Sequence, residues 1–105
     1  MWEFNSTIPR GKIMIKSFKD KTLEKLFRQD KAATTKQEEK IKNRLESMAV
    51  ASKIENINIP GYGLHELKGD RKGTWSIKIS GNWRITFRFE DGDAYDVNLE
   101  DYHKR

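Results

Sequence analysis

Three runs of alternating apolar and polar residues, all in the last third of the chain, constrain the fold most strongly. Their apolar members are Trp75, Ile77 and Ile79, then Trp83, Ile85, Phe87 and Phe89, then Tyr95, Val97 and Leu99. Alternation with a period of two is typical of strands that bury one face only. The gaps between the runs, residues 80–82 and 91–93, place Gly beside Asn or Asp, which favours tight hairpins. We therefore predict an antiparallel meander of three strands.

The polar positions in and around this sheet hold most of the residues with functional chemistry. They are Arg84, Thr86 and Arg88 in the middle strand, His65, Lys68 and Arg71 before the sheet, and Asp101, Tyr102 and His103 after it. Because successive side chains of a strand point to opposite faces, the middle-strand residues lie opposite its apolar ones. The sequence therefore predicts a basic, histidine-bearing face on the side of the sheet away from the core.

A short strand and a first helix are predicted before the sheet. Residues 15–18 fit a strand, and Asp20 is the predicted N-cap of the helix. The residues on the apolar side of that helix are Leu23, Leu26 and Phe27. Such a one-sided distribution is typical of a helix that packs on a core.

A second helix is predicted from a capping-box spacing, because Thr34 and Thr35 each stand three residues before Gln37 and Glu38. Its apolar stripe consists of Ile41, Leu45, Met48 and Ala49. Residues 52–63 break this period and are predicted to form a loop before the sheet. We therefore predict an α+β domain, with two helices packed on one face of a small antiparallel sheet and the other face open.

Length and composition limit the organisation of the chain. Its 105 residues contain no internal repeat or Ser/Pro-rich linker, which suits one domain. Residues 1–13 show no sustained period, so we interpret them as a leader or extension outside a domain of residues 14–105. The chain has no Cys, and its apolar runs are too short for a membrane span or a secretion signal. These features favour a cytoplasmic protein without membrane association.

The formal net charge of +5 is unevenly distributed. Residues 64–89 hold six Lys and Arg against two acidic residues, whereas residues 90–103 hold six acidic residues and no Lys or Arg. A basic body favours a polyanionic partner through contacts with phosphate. A surface of solvated lysines explains the same composition, so charge permits a nucleic-acid partner without establishing one.

The two histidines and the cations beside them suit one reaction in particular. Cleavage of RNA by attack of a 2′-hydroxyl needs a general base and a general acid, and His65 and His103 could serve as these. It also needs fixed positive charge beside the phosphorane, for which Lys68 and Arg84 are candidates. Arg84 is the stronger candidate because a strand fixes its direction. The alternative is that both histidines are ordinary surface residues and that Lys68 and Arg84 form surface ion pairs.

Other polar residues near the predicted sheet also have more than one interpretation. The loop at residues 68–73 is either a phosphate contact or an ordinary exposed turn. Tyr102 could stack on a base or donate a hydrogen bond, and Asp101 could orient a histidine or accept a proton. There is no P-loop or zinc-protease motif, and the acidic residues lack the spacing of a calcium loop. We predict neither a metal site nor a cofactor.

The same stretch carries a resemblance to a known family. The run LHELKGDRKGTWSIKISGNWRITF, followed by GDAY and EDYH, resembles the HigB branch of the RelE/ParE superfamily of bacterial toxins. The resemblance covers residues 14–103, with its motifs concentrated in the last forty residues. It implies a RelE-like, microbial ribonuclease-type toxin fold.

The resemblance also implies a function, partners and site residues. The function is that of a type II endoribonuclease toxin, independent of metal, that cleaves messenger RNA in the ribosomal A site and so inhibits translation. The partners are the ribosome and a cognate HigA-like antitoxin, and DNA is reached only through that antitoxin. The catalytic positions carried over from the family are His65, Lys68, Arg84, Asp101, Tyr102 and His103. The predicted RNA-binding residues are Lys68, Arg71, Arg84 and Arg88.

A binding protein without catalytic activity is the rival interpretation. It would be either an RNA-binding module or a ParE-like gyrase poison, and one fold can support both kinds of function. The histidines and the EDYH sequence favour the enzyme, because a gyrase poison has no use for two titratable imidazoles beside Arg84.

Overall fold

The computed structural model of the chain describes residues 14–28, 32–51 and 53–101. In chain order its elements are β1 (Met14–Ile15), α1 (Lys21–Arg28), α2 (Lys36–Val50), β2 (His65–Glu66), β3 (Thr74–Ser80), β4 (Trp83–Glu90) and β5 (Asp93–Asp101). Short 3₁₀ turns at Ile54–Ile57 and Gly69–Arg71 lie before and after β2. The predicted leader, Tyr102 and His103 lie outside the described residues.

The five strands form one sheet in the order β1-β5-β4-β3-β2. β1 is parallel to β5, and all other neighbours are antiparallel. The predicted meander is confirmed as β3, β4 and β5. Its second hairpin turns at Asp91 and Gly92, whose φ angles of 52° and 83° lie in the left-handed region that a tight two-residue turn requires.

Both helices begin at the predicted caps. Asp20 Oδ1 accepts a hydrogen bond from the backbone N–H of Thr22 at 2.8 Å. Thr35 Oγ1 accepts one from the backbone N–H of Glu38 at 3.0 Å, and Glu38 Oε1 accepts one from the backbone N–H of Thr34 at 2.9 Å. Within the described ranges, neither helix has the length and apolar character needed to cross a membrane.

The helices cover one face of the sheet. In α2 the predicted stripe is confirmed, because Ile41, Leu45 and Met48 are buried and Ala49 packs partly buried against them. The buried residues of the facing strands are Ile77, Ile79, Ile85, Phe87 and Val97. The α+β arrangement, with two helices on one face of a small sheet, is therefore confirmed.

β5 departs from the predicted alternation. Between the pairs that β4 and β5 form on either side of Phe87, β5 has one residue more than β4. This β-bulge includes Asp96, whose φ is +56°. The extra residue reverses the faces of the first half of the strand, so Ala94 is buried and Tyr95 lies beside Arg88 on the opposite face. The prediction of Tyr95 on the apolar face is wrong.

Candidate active site

The sheet face turned away from the helices, which we call the open face, carries polar side chains from four strands. Strand pairing aligns them in three rows, which are His65, Ser76, Thr86 and Asn98, then Lys78, Arg84 and Glu100, then Thr74, Arg88 and Tyr95. Neighbouring strands are about 4.8 Å apart, so adjacent members of a row are within side-chain reach. The structure therefore places Arg84 and Arg88 on the predicted face, together with His65.

Ser76 links two of the predicted site residues. Its side chain lies at the centre of the open face and is fully buried. The hydroxyl accepts a hydrogen bond from Arg84 Nη1 at 3.2 Å, and the backbone of His65 pairs with Ser76 in the strand register. His65 and Arg84 thus stand on either side of the same serine.

The ring orientation of His65 follows from a local contact. Nδ1 lies 3.0 Å from the carbonyl oxygen of Gly63, and the His65 side chain is exposed. A carbonyl oxygen can only accept, so Nδ1 carries the proton that this hydrogen bond needs. In a neutral imidazole Nε2 then holds the lone pair. His65 can therefore accept a proton at Nε2 without changing its orientation.

Arg71 crosses the open face to reach Glu100. Its Nη1 and Nη2 donate to the two carboxylate oxygens at 3.0 and 2.6 Å, which is a bidentate pair. Glu100 Oε2 also accepts from the hydroxyl of the buried Thr86 at 2.7 Å. The hydrogen bonds from Arg71, and then that from Thr86, hold the pKa of Glu100 below its ordinary value. Glu100 is therefore an ionised carboxylate fixed beside Arg84.

Arg88 is also held by carboxylates. Its Nη1 pairs with Glu90, its Nε donates to Asp96 Oδ2 at 3.0 Å, and its guanidinium lies 5.4 Å from the centre of the Tyr95 ring. The hydrogen bond to Asp96 and the charge of Glu90 raise the pKa of Arg88. The positive charge of Arg88 is consequently offset within the chain, which weakens its attraction for phosphate.

A polar cavity of about 230 Å³ lies between these groups on the open face. The residues around it include Arg71, Thr74, Thr86, Arg88, Asn98 and Glu100. A phosphate or a ribose hydroxyl entering it would meet guanidinium and hydroxyl donors as well as carboxylates. The lining holds three cations and three carboxylates, so an anionic ligand would have to compete with the carboxylates for the arginines.

Of the remaining predicted site residues, Lys68 and Asp101 lie within the described part of the chain. Lys68 is exposed and immediately precedes the 3₁₀ turn that carries Arg71. Asp101 pairs with Trp83 in the register, so it is out of phase with Glu100 and Arg84 and belongs to the opposite side of the sheet. Tyr102 and His103 fall outside the described residues.

Two residues of the open face were not predicted from the sequence to belong to the site. Ser76 is a small polar residue between two apolar ones, and its position in the alternation could have assigned it to this face. Glu100 opens the EDYH sequence, but its pairing with Arg84 depends on the bulge in β5, which period-two counting does not include. Both residues contact predicted site residues directly.

Within the described part of the chain, three of the six acidic residues in the stretch 90–103 contact an arginine. Glu90 and Asp96 bind Arg88, and Glu100 binds Arg71. Among residues 14–28, 32–51 and 53–101, no three His, Asp or Glu side chains are grouped as ligands for a metal ion.

We expect the Arg71–Glu100 pair to make stability depend on pH. Because the pKa of Glu100 is lowered by folding, its stabilisation is complete above the unfolded value, about 4.3 for a glutamate, and is lost as the pH falls through the lower folded value. The difference in melting temperature between the wild type and Glu100→Gln should therefore shrink in acid. Thermal unfolding from about pH 7 to pH 3 measures this difference, and a constant value would contradict it.

Comparisons with known proteins relate the chain to one family of toxins. A family model described as RelE-like toxin of type II toxin–antitoxin system HigB matches residues 16–103. A Proteus vulgaris protein named Endoribonuclease HigB is 49% identical over 94 residues, which cover 86% of this chain and 100% of that relative. A Vibrio cholerae protein named Toxin HigB-1 is 33% identical over 95 residues, covering 87% of this chain and 99% of the relative.

Proposed function

Because the chain belongs to the HigB-like family of RelE-like toxins of type II toxin–antitoxin systems, we propose that it is an endoribonuclease. It cleaves messenger RNA in the ribosomal A site and so inhibits translation and growth. One observation carries this proposal, namely that a histidine with an available Nε2 and a strand-fixed arginine stand on either side of Ser76. Acid–base cleavage of RNA needs these two groups close together.

We assign the general base to His65. Its Nδ1 hydrogen bond to Gly63 fixes the ring and leaves Nε2 to take the proton of the ribose 2′-hydroxyl. The 2′-oxygen then attacks phosphorus, and the bond to the 5′-oxygen of the next nucleotide breaks. The products are a 2′,3′-cyclic phosphate and a 5′-hydroxyl.

The other proposed roles follow the charge that develops in this step. His103 gives a proton to the leaving 5′-oxygen, and Arg84 and Lys68 stabilise the negative charge on the phosphorane. Tyr102 stacks on a base of the message. Arg71 and Arg88 bind the RNA beside the scissile phosphate. Every proton transferred in this step moves between RNA and a side chain of this protein.

The proposed partners follow from the type II system. The cognate antitoxin is proposed to be HigA-like, to cover the open face or hold the toxin away from the ribosome, and to make all contacts with DNA. The protein is proposed to act in the cytoplasm. On the ribosome, lysines before and within the helices are proposed to contact ribosomal RNA. These lysines are Lys16, Lys19, Lys21, Lys36, Lys40 and Lys42. All but Lys42 are exposed, as contact with phosphate requires.

The experiment that tests this function is induction of the toxin in growing bacteria, followed by mapping of new 5′ ends on messenger RNA. We expect 5′-hydroxyl ends inside coding sequences. His65→Ala and His103→Ala should each lower the frequency of cuts about 10²-fold or more, the usual scale of acid–base catalysis.

Two outcomes would contradict the proposal. Intact messages together with double-strand breaks in DNA would indicate a gyrase poison. Intact messages with tight binding of the purified protein to RNA would indicate a binding module. Cuts that persist in a folded His103→Ala variant would leave the enzyme standing but remove His103 from the mechanism.

A further inference from the structure

An ion pair between two side chains joins the loop between β2 and β3 to the last strand. Arg71 ends the 3₁₀ turn of this loop, and Glu100 is the penultimate residue of β5. In the sheet order, β3 and β4 lie between the two segments. The bidentate contact of Arg71 with Glu100, at 3.0 and 2.6 Å, therefore joins two segments on the open face that are not neighbours in the sheet.

Glu100 is itself held in a fixed position. It faces Arg84 in the strand register, and its Oε2 accepts a hydrogen bond from Thr86 at 2.7 Å. Thr86 is 2% exposed, so this anchor lies in the buried centre of the face. A carboxylate with a buried hydroxyl on one side can direct a guanidinium on the other with little rotational freedom.

We propose that Glu100 is a positioning residue for RNA cleavage, and that it acts through Arg71. This inference rests on the proposed function. The turn that Arg71 ends begins directly after Lys68, and the strand that carries Glu100 leads into residues 101–103. The ion pair thus ties the turn that follows Lys68 to the end of β5, although Arg71 and Glu100 are 29 residues apart in the sequence.

The importance of the pair lies in geometry more than in stability. Ion pairs of partly exposed side chains contribute little to folding, and the side chains of Arg71 and Glu100 are 47% and 24% exposed. Catalysis is more sensitive, since displacing a reacting group by about 1 Å can cost about 10²-fold in rate. Removing Glu100 frees the Arg71 side chain and loosens the turn between Lys68 and Lys72. The ends of this loop stay anchored, because the Leu67 N–H donates to the Thr74 carbonyl oxygen and the Gly73 N–H donates to Glu66 Oε2, both at 2.8 Å.

A second role for the same contact makes the opposite prediction. Glu100 could simply occupy the Arg71 guanidinium and compete with phosphate for it. In that case removing the carboxylate would strengthen RNA binding and leave the rate at saturation unchanged or raised. The direction of the effect of Glu100→Gln on single-turnover cleavage separates the two roles.

The test measures single-turnover cleavage on saturating programmed ribosomes for the wild type, Glu100→Gln, Arg71→Ala and the double variant. We expect Glu100→Gln to lower the rate about 10- to 100-fold in the wild type. In the Arg71→Ala background the same change should cost less than about 2-fold, because Glu100 would have nothing left to position. Glu24→Gln is the matched control, since it removes a carboxylate that binds Arg28 Nε on α1 at 3.1 Å, away from the open face.

A readout without substrate separates this inference from the proposed function. Hydrogen exchange of the Arg71 and Lys72 amides, which donate to Lys68 and Gly69 within the turn, should accelerate in Glu100→Gln and not in Glu24→Gln. Glu100→Asp, which keeps the charge, should recover part of the rate and tests the inference if the glutamine variant fails to fold.

An unchanged or faster Glu100→Gln enzyme, or an equal loss in the Arg71→Ala background, would overturn the positioning role. An inactive wild type would instead overturn the proposed function, together with any catalytic role for Glu100. In that event accelerated exchange at Arg71 and Lys72 would show only that Glu100 orders the turn.

Discussion

Arg84→Ala is expected to lower the single-turnover rate of message cleavage about 10²- to 10³-fold, the loss typical of removing a group that stabilises transition-state charge. The guanidinium is directed by the central strand and by its hydrogen bond to the buried Ser76. Arg84→Lys should recover little of the rate, because an ammonium lacks the planar fork of donors that Arg84 presents. Rates on programmed ribosomes at saturation measure both variants.

Lys78→Ala is the matched control for this prediction. Lys78 pairs with Arg84 in the register, lies on the same face and is exposed. We expect its removal to change the rate less than about 3-fold, since an exposed flexible cation contributes little fixed charge at the reacting phosphate. Equal losses in the two variants would assign Arg84 a general electrostatic effect in place of a specific one.

The stability of the Arg84→Ala variant has to be measured together with its cleavage rate. Truncating Arg84 leaves the buried hydroxyl of Ser76 without this donor, which should cost about 1 to 3 kcal/mol of unfolding free energy. Denaturant unfolding measures that cost. A variant that is folded under assay conditions and still inactive confirms that the loss lies in the chemistry.

The helices and the meander could be predicted from the sequence because local signals determine them. Asp20 and Thr35 cap their helices through contacts within four residues, and Asp91 and Gly92 turn the second hairpin with their own backbone angles. The stripe of α2 follows from helical spacing alone. These signals act between residues that are close in the sequence, so they do not depend on how distant segments pair.

Which residues of β5 face the core could not be predicted in the same way. The sequence does, however, indicate that simple alternation fails in this strand. The turn pairs Glu90 with Asp93, and counting outward from this pair without a bulge would place Leu99 opposite Arg84 on the polar face. That result contradicts the burial expected of an apolar residue. Only an extra residue in β5 removes the conflict, and Asp96 supplies it because Asp tolerates a positive φ.

The bulge also determines which carboxylate enters the candidate site. It brings Glu100 opposite Arg84 and places Asp101 opposite Trp83. Family resemblance points to Asp101, whereas the register identifies Glu100 as the acid that faces Arg84 on the open face. Long-range pairing fixes this distinction, so no period in the sequence could reveal it.

The charge of the open face is also more balanced than composition suggests. Residues 64–89 are strongly basic, yet Arg71 is bound by Glu100 and Arg88 is bound by Glu90 and Asp96. All three acidic partners come from residues 90–103, which are distant in the sequence from Arg71. A face with internal carboxylates attracts free RNA less strongly than a face of unpaired cations.

This balance leads to the last prediction, that naked RNA is a poor substrate and that the translating ribosome is required. Orienting the 2′-hydroxyl, the phosphorus and the leaving oxygen in line accounts for about 7 to 11 kcal/mol of a barrier when positioning is complete. An open sheet face with a cavity of about 230 Å³ contacts only a few nucleotides and supplies part of this. The ribosomal A site would supply the rest by holding the message in one conformation.

The test compares cleavage of one message, naked and bound to a programmed ribosome, at equal toxin concentration and low salt. We expect the ribosome-bound message to be cleaved at least about 10³-fold faster, a fraction of the advantage that full positioning can give. Arg84→Ala serves as the blank for contaminating ribonuclease. Raising the salt should weaken binding to the ribosome, because lysines such as Lys36 and Lys40 are proposed to anchor the toxin through phosphates. Equal rates on the two substrates would make this protein a freestanding ribonuclease, whose specificity would have to come from the open face alone.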